Sequence, residues 1–221
     1  MVVAQASAQK ASAGFTPRRG RPSAAYLAAI SEKILSTAQD LFLSQGYANT
    51  TMDAVTAAAG VGKATLYARY PTKADLFQAI VAGRMETWRT TEPAPVGADQ
   101  DIQDWLREYA VALLKAMRDP EIRAFDQLMV AEAPRFPELA RTFHELGYMV
   151  SIRAIAERLS RADGEDTPSA RTLLVAKLFA SSLIQWIRQE GGISEIGDDD
   201  CRAAAEAISQ LMVSGRAAWR G

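Results

Sequence analysis

Apolar residues in this chain recur at intervals of three and four, never in a sustained alternation of two. Between Ala24 and Ser44 the series Leu27, Ile30, Ile34, Ala38, Leu41 and Phe42 marks one face of an amphipathic helix, which Gly46 stops. The same period returns along most of the 221 residues. No segment carries the period-two pattern of a half-buried strand, and no repeat at the spacings of a solenoid is visible. An all-α fold of about nine helices is therefore expected.

The punctuation between helices is most informative near the N-terminus. Asn49, Thr50 and Thr51 offer capping side chains for a short second helix, with Asp53 three residues after Thr50 in a variant of the capping box. Met52, Val55 and Ala59 form its buried stripe. Gly60 suits the left-handed backbone that ends a helix, Val61 is placed to plug the core, and a third helix starts at Gly62 or Lys63 and runs to about Tyr70, before Pro71. Two short helices about a tight glycine turn make a helix-turn-helix, whose second helix enters the major groove of DNA by its N-terminal residues. Here those are Lys63, Ala64 and Thr65, with Tyr67 and Ala68 one turn on. Small side chains at the tip permit close approach, and Thr65 offers a hydroxyl or a methyl to a base edge. Lys63 has a base or a phosphate within reach.

Charge supports this placement. Residues 1–80 hold eight basic side chains (Lys10, Arg18, Arg19, Arg21, Lys33, Lys63, Arg69, Lys73) and four acidic ones, a net of +4 in a chain whose total is −1. The remainder is acidic. A basic end on an acidic chain fits one end meeting a polyanion. Arg18, Arg19 and Arg21 form a short arm ahead of the first helix, of the kind that enters a minor groove.

The segment from Thr50 to Lys73, TTMDAVTAAAGVGKATLYARYPTK, resembles the DNA-binding signature of the TetR family of regulators, over about residues 24 to 80. Gly60-Val61, Thr65-Leu66-Tyr67, the aromatic Tyr70 and Lys73 carry the likeness. The resemblance implies DNA contact, mostly to phosphates, by Thr51, Lys63, Thr65, Tyr67 and Lys73. Two positions depart from the family pattern: Tyr70 stands where Phe is commoner, and Gly62 where Ser is common, which removes a capping hydroxyl. The expected organisation is a flexible basic arm (1–22), a helix-turn-helix domain (23–72) and an effector-binding and dimerisation domain (73–221).

In that larger part, helices are expected from near Thr72, from Ile102 to about Met117, from Glu121 to Ala133, from Glu138 to Ala162, from Pro168 to about Glu190 and from Asp199 to Ala218. The Pro168 helix is apolar on two stripes, one through Leu173, Ala176, Ala180, Ile184 and Ile187, the other through Val175, Phe179, Ser182 and Trp186. A helix apolar nearly all round needs two covers, and a second subunit supplies one. With Ala203, Ala204, Ala207, Ile208, Leu211 and Gly215 of the last helix it makes half of an isologous four-helix interface, as the last two helices do in TetR-like proteins.

The run Ala131-Glu-Ala-Pro-Arg-Phe-Pro-Glu-Leu-Ala140 resembles the C-terminal domain of the AefR-like subgroup. That likeness implies a pocket for a small apolar effector, with Met85, Trp88, Trp105, Phe125, Met129, Phe143, Met149 and Trp186 as candidate lining, and a tilt of the fourth helix as the response. The function expected is a ligand-responsive repressor that binds a pseudo-palindromic, double-stranded DNA operator as a homodimer. The alternatives are a helical interaction protein and an enzyme acting in a hidden pocket.

Composition argues against the enzyme. Cys201 and His144 are single, too few for a zinc site, and no glycine-rich phosphate loop or Cys/His signature is present. No cofactor, metal or catalytic residue is expected. The single thiol fits a reducing, cytoplasmic setting. The longest apolar stretch, Leu178 to Ile187, is interrupted by Ser181, Ser182 and Gln185 and falls short of the roughly 20 residues that span a bilayer. Met1 to Thr16, with Lys10 its only charge, does not read as a signal peptide.

Overall fold

In the computed structural model the described residues are 23–91 and 100–215, the side chains of 87–91 excepted. All regular structure among them is helical: α1 (Ala24–Gln45), α2 (Met52–Ala59), α3 (Lys63–Tyr67), α4 (Lys73–Thr91), α5 (Ile102–Ala116), α6 (Pro120–Glu132), α7 (Pro137–Phe143), α8 (Met149–Ala162), α9 (Ala170–Glu190) and α10 (Asp198–Ser214). One turn of π-helix, His144–Tyr148, joins α7 to α8 without a break, so the run expected as one helix from Glu138 is continuous but locally underwound into a wider turn. Counted as one, it brings the helices among the described residues to nine. The wide turn brings Gly147 against α4, where a Cβ on Gly147 would stand 2.9 Å from Met85 Sδ.

Helix starts follow side-chain chemistry. Ser23 accepts from Tyr26 N, Asp101 from Gln103 N, Asp119 from Glu121 N and Ser169 from Thr172 N, each supplying an acceptor to the unpaired amides of a first turn. Thr72 and Asp75 form a reciprocal box at the start of α4, with Asp75 N donating to Thr72 Oγ1 at 3.1 Å and Thr72 N to Asp75 Oδ2 at 3.0 Å.

Two apolar cores lie side by side. The first joins Ile34, Ala38, Phe42 and Tyr47 of α1 and its following turn to Val55, Leu66, Leu76, Phe77 and Ile80, and takes in Phe125, Leu128 and Met129 of α6 and Leu139 of α7. The second is built by α5, α8, α9 and α10 around Leu106, Leu114, Ile152, Ile155, Phe179 and Leu183. Packing therefore does not divide at residue 72: the N-terminal half of α4, one face of α6 and Leu139 of α7 share the core of α1–α3. Helix α6 is fitted for this by spacing, because Glu121, Phe125, Leu128, Met129 and Glu132 fall on one face. The two carboxylates on that face reach the N-terminal unit at either end. Gln39 Nε2 donates to Glu121 Oε1 at 2.6 Å and Ala48 N to Glu132 Oε1 at 3.3 Å, while Arg84 of α4 joins the first group, 2.7 Å from both Gln39 Oε1 and Glu121 Oε1.

On α9 the outward face differs from the expected pair of stripes. Val175, Phe179 and Ala176, Ala180, Ile187 are all buried within the subunit, and Leu173 and Trp186 also lean on the same core. What remains outside is Leu174 (54 % exposed) and Leu178 (56 % exposed), two residues outside both expected stripes, followed by exposed Ser181, Ser182 and Gln185. Ser182, assigned to a buried stripe, is exposed and donates to Leu178 O at 2.8 Å. On α10, Ala203, Ala207 and Leu211 are exposed, Leu211 at 74 %. No helix among the described residues is long and apolar enough to cross a membrane.

Candidate nucleic-acid interface

The turn between α2 and α3 is set by hydrogen bonds that Gly60 permits. Its φ of 62° and ψ of 37° are left-handed, and Val61 N then donates to Thr56 O at 3.2 Å while Gly60 N donates to Ala57 O at 3.2 Å, the paired closure of a Schellman motif. Leu66 is fully buried beneath α3, which fixes the rotation of that short helix. As a result Lys63, Ala64, Tyr67 and Ala68 are exposed and Thr65 is half-buried. Tyr67 is 43 % exposed, whereas Tyr70 packs partly into the first core. Gly62 caps α3 with no side-chain hydrogen bond, as the missing Ser implies.

The start of α2 departs from the expected box. Thr51, not Thr50, is the N-cap, accepting from Ala54 N at 3.1 Å. Thr50 is fully buried and its hydroxyl lies 2.9 Å from Gly46 O and 3.1 Å from Leu41 O, tying the end of α1 to the start of α2. Asp53 is thereby left facing α3, where Lys63 Nζ lies 2.8 Å from its Oδ1. The hydrogen bond with Asp53 and the charge of Asp53 together raise the Lys63 pKa. Both side chains remain largely exposed, so this pair contributes little to stability and is open to exchange with a phosphate.

Lys73, expected at a phosphate, makes contacts within the subunit. Its ammonium turns inward and donates to Tyr47 O at 2.7 Å and Thr50 O at 3.0 Å, with Ala48 O at 3.5 Å, and it lies 4.2 Å from the centre of the Tyr47 ring. Burial lowers its pKa, opposed by Glu132 and Glu138. A cation held by these carbonyls orders the α1–α2 turn, and Lys73 is half-buried there. Arg69 is likewise engaged: Nη1 donates to Ser31 Oγ at 2.7 Å, linking the end of α3 to α1. Arg18, Arg19 and Arg21 lie outside the described residues, as does the side chain of Trp88.

Sequence reasoning missed the contribution of α6. Glu132 is 9 % exposed and Phe136, just beyond, meets the Tyr47 ring edge-on at 5.0 Å. The signal was present in the i, i+4, i+7, i+11 spacing of Glu121, Phe125, Leu128 and Glu132, but periodicity names a face without naming what it meets.

The seven candidate effector residues with described side chains are divided between the two cores. Phe125 and Met129 are buried in the first core, with Met85 and Phe143 packed against it; Trp105, Met149 and Trp186 belong to the second. Trp105 stacks on Tyr109 at 5.2 Å. These side chains are spent on packing, since each helix buries its own apolar face first. A cleft of about 1040 Å³ lies between α6 and the α9–α10 junction, lined in part by Met117, Arg123, Val130, Ile187, Ile193 and Ile196, and none of the seven candidates with described side chains lines it. His144 is exposed.

Among the described residues, an all-α architecture with a glycine-closed helix-turn-helix, a third helix exposed at its N-terminus and a second helical core is that of a helix-turn-helix regulator. Residues 34–80 match the family described as bacterial regulatory proteins, tetR family, and residues 104–166 match the AefR-like transcriptional repressor C-terminal domain. The chain belongs to the TetR family, with an AefR-like C-terminal domain. Among solved structures it is similar to the Flavonoid-responsive Regulator FrrA, at 29 % identity and a TM-score of 0.72 over 85 % of this chain and 97 % of that one. A tetR-family regulator from Mesorhizobium loti shares the fold at 20 % identity and a TM-score of 0.66, over 85 % and 96 % of the two chains. The HTH-type transcriptional regulator SrpR of Pseudomonas putida is 24 % identical over 45 % of this chain, and the match spans 45 % of the length of SrpR. These relatives are regulators and not enzymes.

Proposed function

We propose that this chain is a ligand-responsive repressor that binds a pseudo-palindromic operator as a homodimer. The observation that carries the reading is the exposed tip of α3, where Lys63, Ala64 and Tyr67 stand clear of the subunit while Leu66 anchors the helix. Thr51 and Tyr67 contact phosphates, Ala64 and Thr65 meet base edges, and Lys63 exchanges Asp53 for the DNA backbone. Arg18, Arg19 and Arg21 supply further cationic contacts. Lys73 acts one step back, by ordering the turn that presents Thr51.

The homodimer forms through α9 and α10. Leu174 and Leu178 give α9 an exposed apolar face that a second copy covers, together with the small exposed Ala203 and Ala207 of α10. Two reading heads then address half-sites about 34 to 36 Å apart, or a multiple. The effector is a small apolar molecule; the flavonoid response in the name of FrrA supports a planar aromatic one. Because the expected lining is divided between two cores, the effector acts by shifting one core against the other, and α6, which serves the first core on one face and the open cleft on the other, is the element that moves.

Selection of binding sites from random DNA with the purified protein tests the reading. The expected result is a two-fold symmetric site with salt-dependent affinity. A protein that enriches no sequence and shifts no fragment at any salt concentration is a helical interaction protein instead.

A further inference from the structure

Helix α6 ends on Glu132, and that residue organises two turns at once. Its backbone carbonyl accepts from Arg135 N at 2.9 Å and Phe136 N at 3.0 Å, closing the α6–α7 turn. Its side chain crosses to the N-terminal unit, where Oε1 accepts from Ala48 N at 3.3 Å. A Cβ on Gly46 would stand 2.7 Å from Glu132 Oε1, so a side chain there would have to displace the carboxylate, and φ at Gly46 is 83°. Lys73 feels the Glu132 charge while holding the carbonyls of Tyr47 and Thr50. A carboxylate and an ammonium, from opposite sides of this loop, thus grip the amide of residue 48 and the carbonyls of residues 47 and 50.

We propose that Glu132 is a positioning residue for DNA recognition: it delivers α6 to the α1–α2 turn and so sets the height of Thr51 and the start of α2. The inference rests on the DNA-binding reading and adds to it the route by which the larger core reaches the reading head. The route needs no change inside α2 or α3. Residues 46–50 join α1 to the Thr51 cap, and a displacement of the α6 C-terminus removes the acceptor of Ala48 N directly. The opposite face of α6, with Arg123, Asp126 and Val130, lines the open cleft, and Asp126 is held there by Arg188 of α9 at 2.8 Å. Movement of α9 against α6 is thereby transmitted to residue 48 through a single rigid helix of 13 residues.

The test compares the full-length wild type, Glu132→Gln and Glu132→Ala on a site selected from random DNA and on an unrelated duplex, with Tm and amide exchange of Ala48 measured in parallel. Gln retains a neutral acceptor for Ala48 N; Ala retains none. The expected result is a loss of specific affinity of about tenfold or more in Glu132→Ala, the value of one charge-assisted hydrogen bond, with recovery to within about threefold in Glu132→Gln. Affinity for the unrelated duplex stays within about twofold throughout, because bulk phosphate attraction survives. Faster exchange of Ala48 should accompany the specific loss. Equal specific affinity in all three proteins overturns the proposal, and so does a parallel fall in Tm and in both affinities, which marks a merely structural residue. Should the wild type bind no selected site, it is the DNA-binding reading that has failed.

Discussion

Lys63 Nζ lies 2.8 Å from Asp53 Oδ1, so the first residue of the reading helix is tethered to the first turn of the helix before it. The tether orients the Lys63 side chain in the free protein and competes with DNA for it. Asp53→Asn should release the ammonium and remove a negative charge from the DNA-facing surface. Affinity should rise in a fluorescence anisotropy titration, with the slope of log K on log[salt] nearly unchanged, because Lys63 reaches the same phosphate once Asp53 no longer competes for it. Lys63→Ala should flatten the slope by about 0.9, and a gain from Asp53→Asn that persists in the Lys63→Ala background belongs to Asp53 alone.

Lys73→Met removes the donor that Tyr47 O and Thr50 O share. Leaving these carbonyls without it should cost about 1 to 3 kcal/mol of stability, read from denaturant midpoints. With Lys73 acting by ordering the turn rather than at a phosphate, the salt slope of DNA binding should change little. A slope flattened by about 0.9 with unchanged stability would return Lys73 to the phosphate backbone.

Burial first, and then the charge of Glu138, raise the Tyr47 pKa to about 12. The phenol is neutral in both states below pH 10.0, its ordinary value. Between that value and about 12 the unfolded chain ionises first, so the folded state binds more protons and stability falls as pH rises. Lys73, with its lowered pKa, acts in the opposite sense near its own ordinary value of 10.5. Tyr47→Phe isolates the phenol: the difference in stability between wild type and variant should be flat below pH 10.0 and drift against the wild type above it. A difference independent of pH across that window would contradict the assignment.

Gly46→Ala places a methyl group against Glu132 Oε1 in a left-handed backbone. A loss of about 1 to 3 kcal/mol is expected. In a Glu132→Ala background the steric part disappears and only the backbone part remains, so the two substitutions should be strongly non-additive in thermal unfolding. Additive losses would mean that the carboxylate does not press on residue 46.

Leu178→Arg puts a charge in the middle of the exposed face of α9. Sedimentation should show a monomer at concentrations where the wild type is a dimer, and operator affinity should fall about tenfold or more because one half-site no longer helps to hold the other. A variant that still sediments as a dimer would place the interface elsewhere.

Much of the fold was legible in the sequence because helix periodicity, caps and glycine turns are local properties. The limits of α1, the Gly60 turn and the Pro71 break all rest on interactions within about five residues in the chain. The reading tip was legible for the same reason: burying Leu66 on a five-residue helix dictates that Lys63, Ala64 and Tyr67 face out. The capping of α2 was read one residue early, since Thr50 and Thr51 are equivalent as local caps and only the carbonyls of Leu41 and Gly46 choose between them.

Partnership between distant segments was decided by tertiary structure alone. Periodicity gives the apolar face of α6 but not that this face belongs to the core of α1–α3, and it gives α9 as apolar all round but not that Leu174 and Leu178 are the residues left outside. The direction of Lys73 is of the same kind. A lysine in sequence is a flexible stem with a charge, and it turned inward because three carbonyls converge beside the Tyr47 ring within its reach. The sequence determined which segments are helices and which tip can read DNA; long-range packing decided what holds that tip, because the acceptors and donors involved are 23 to 84 residues apart.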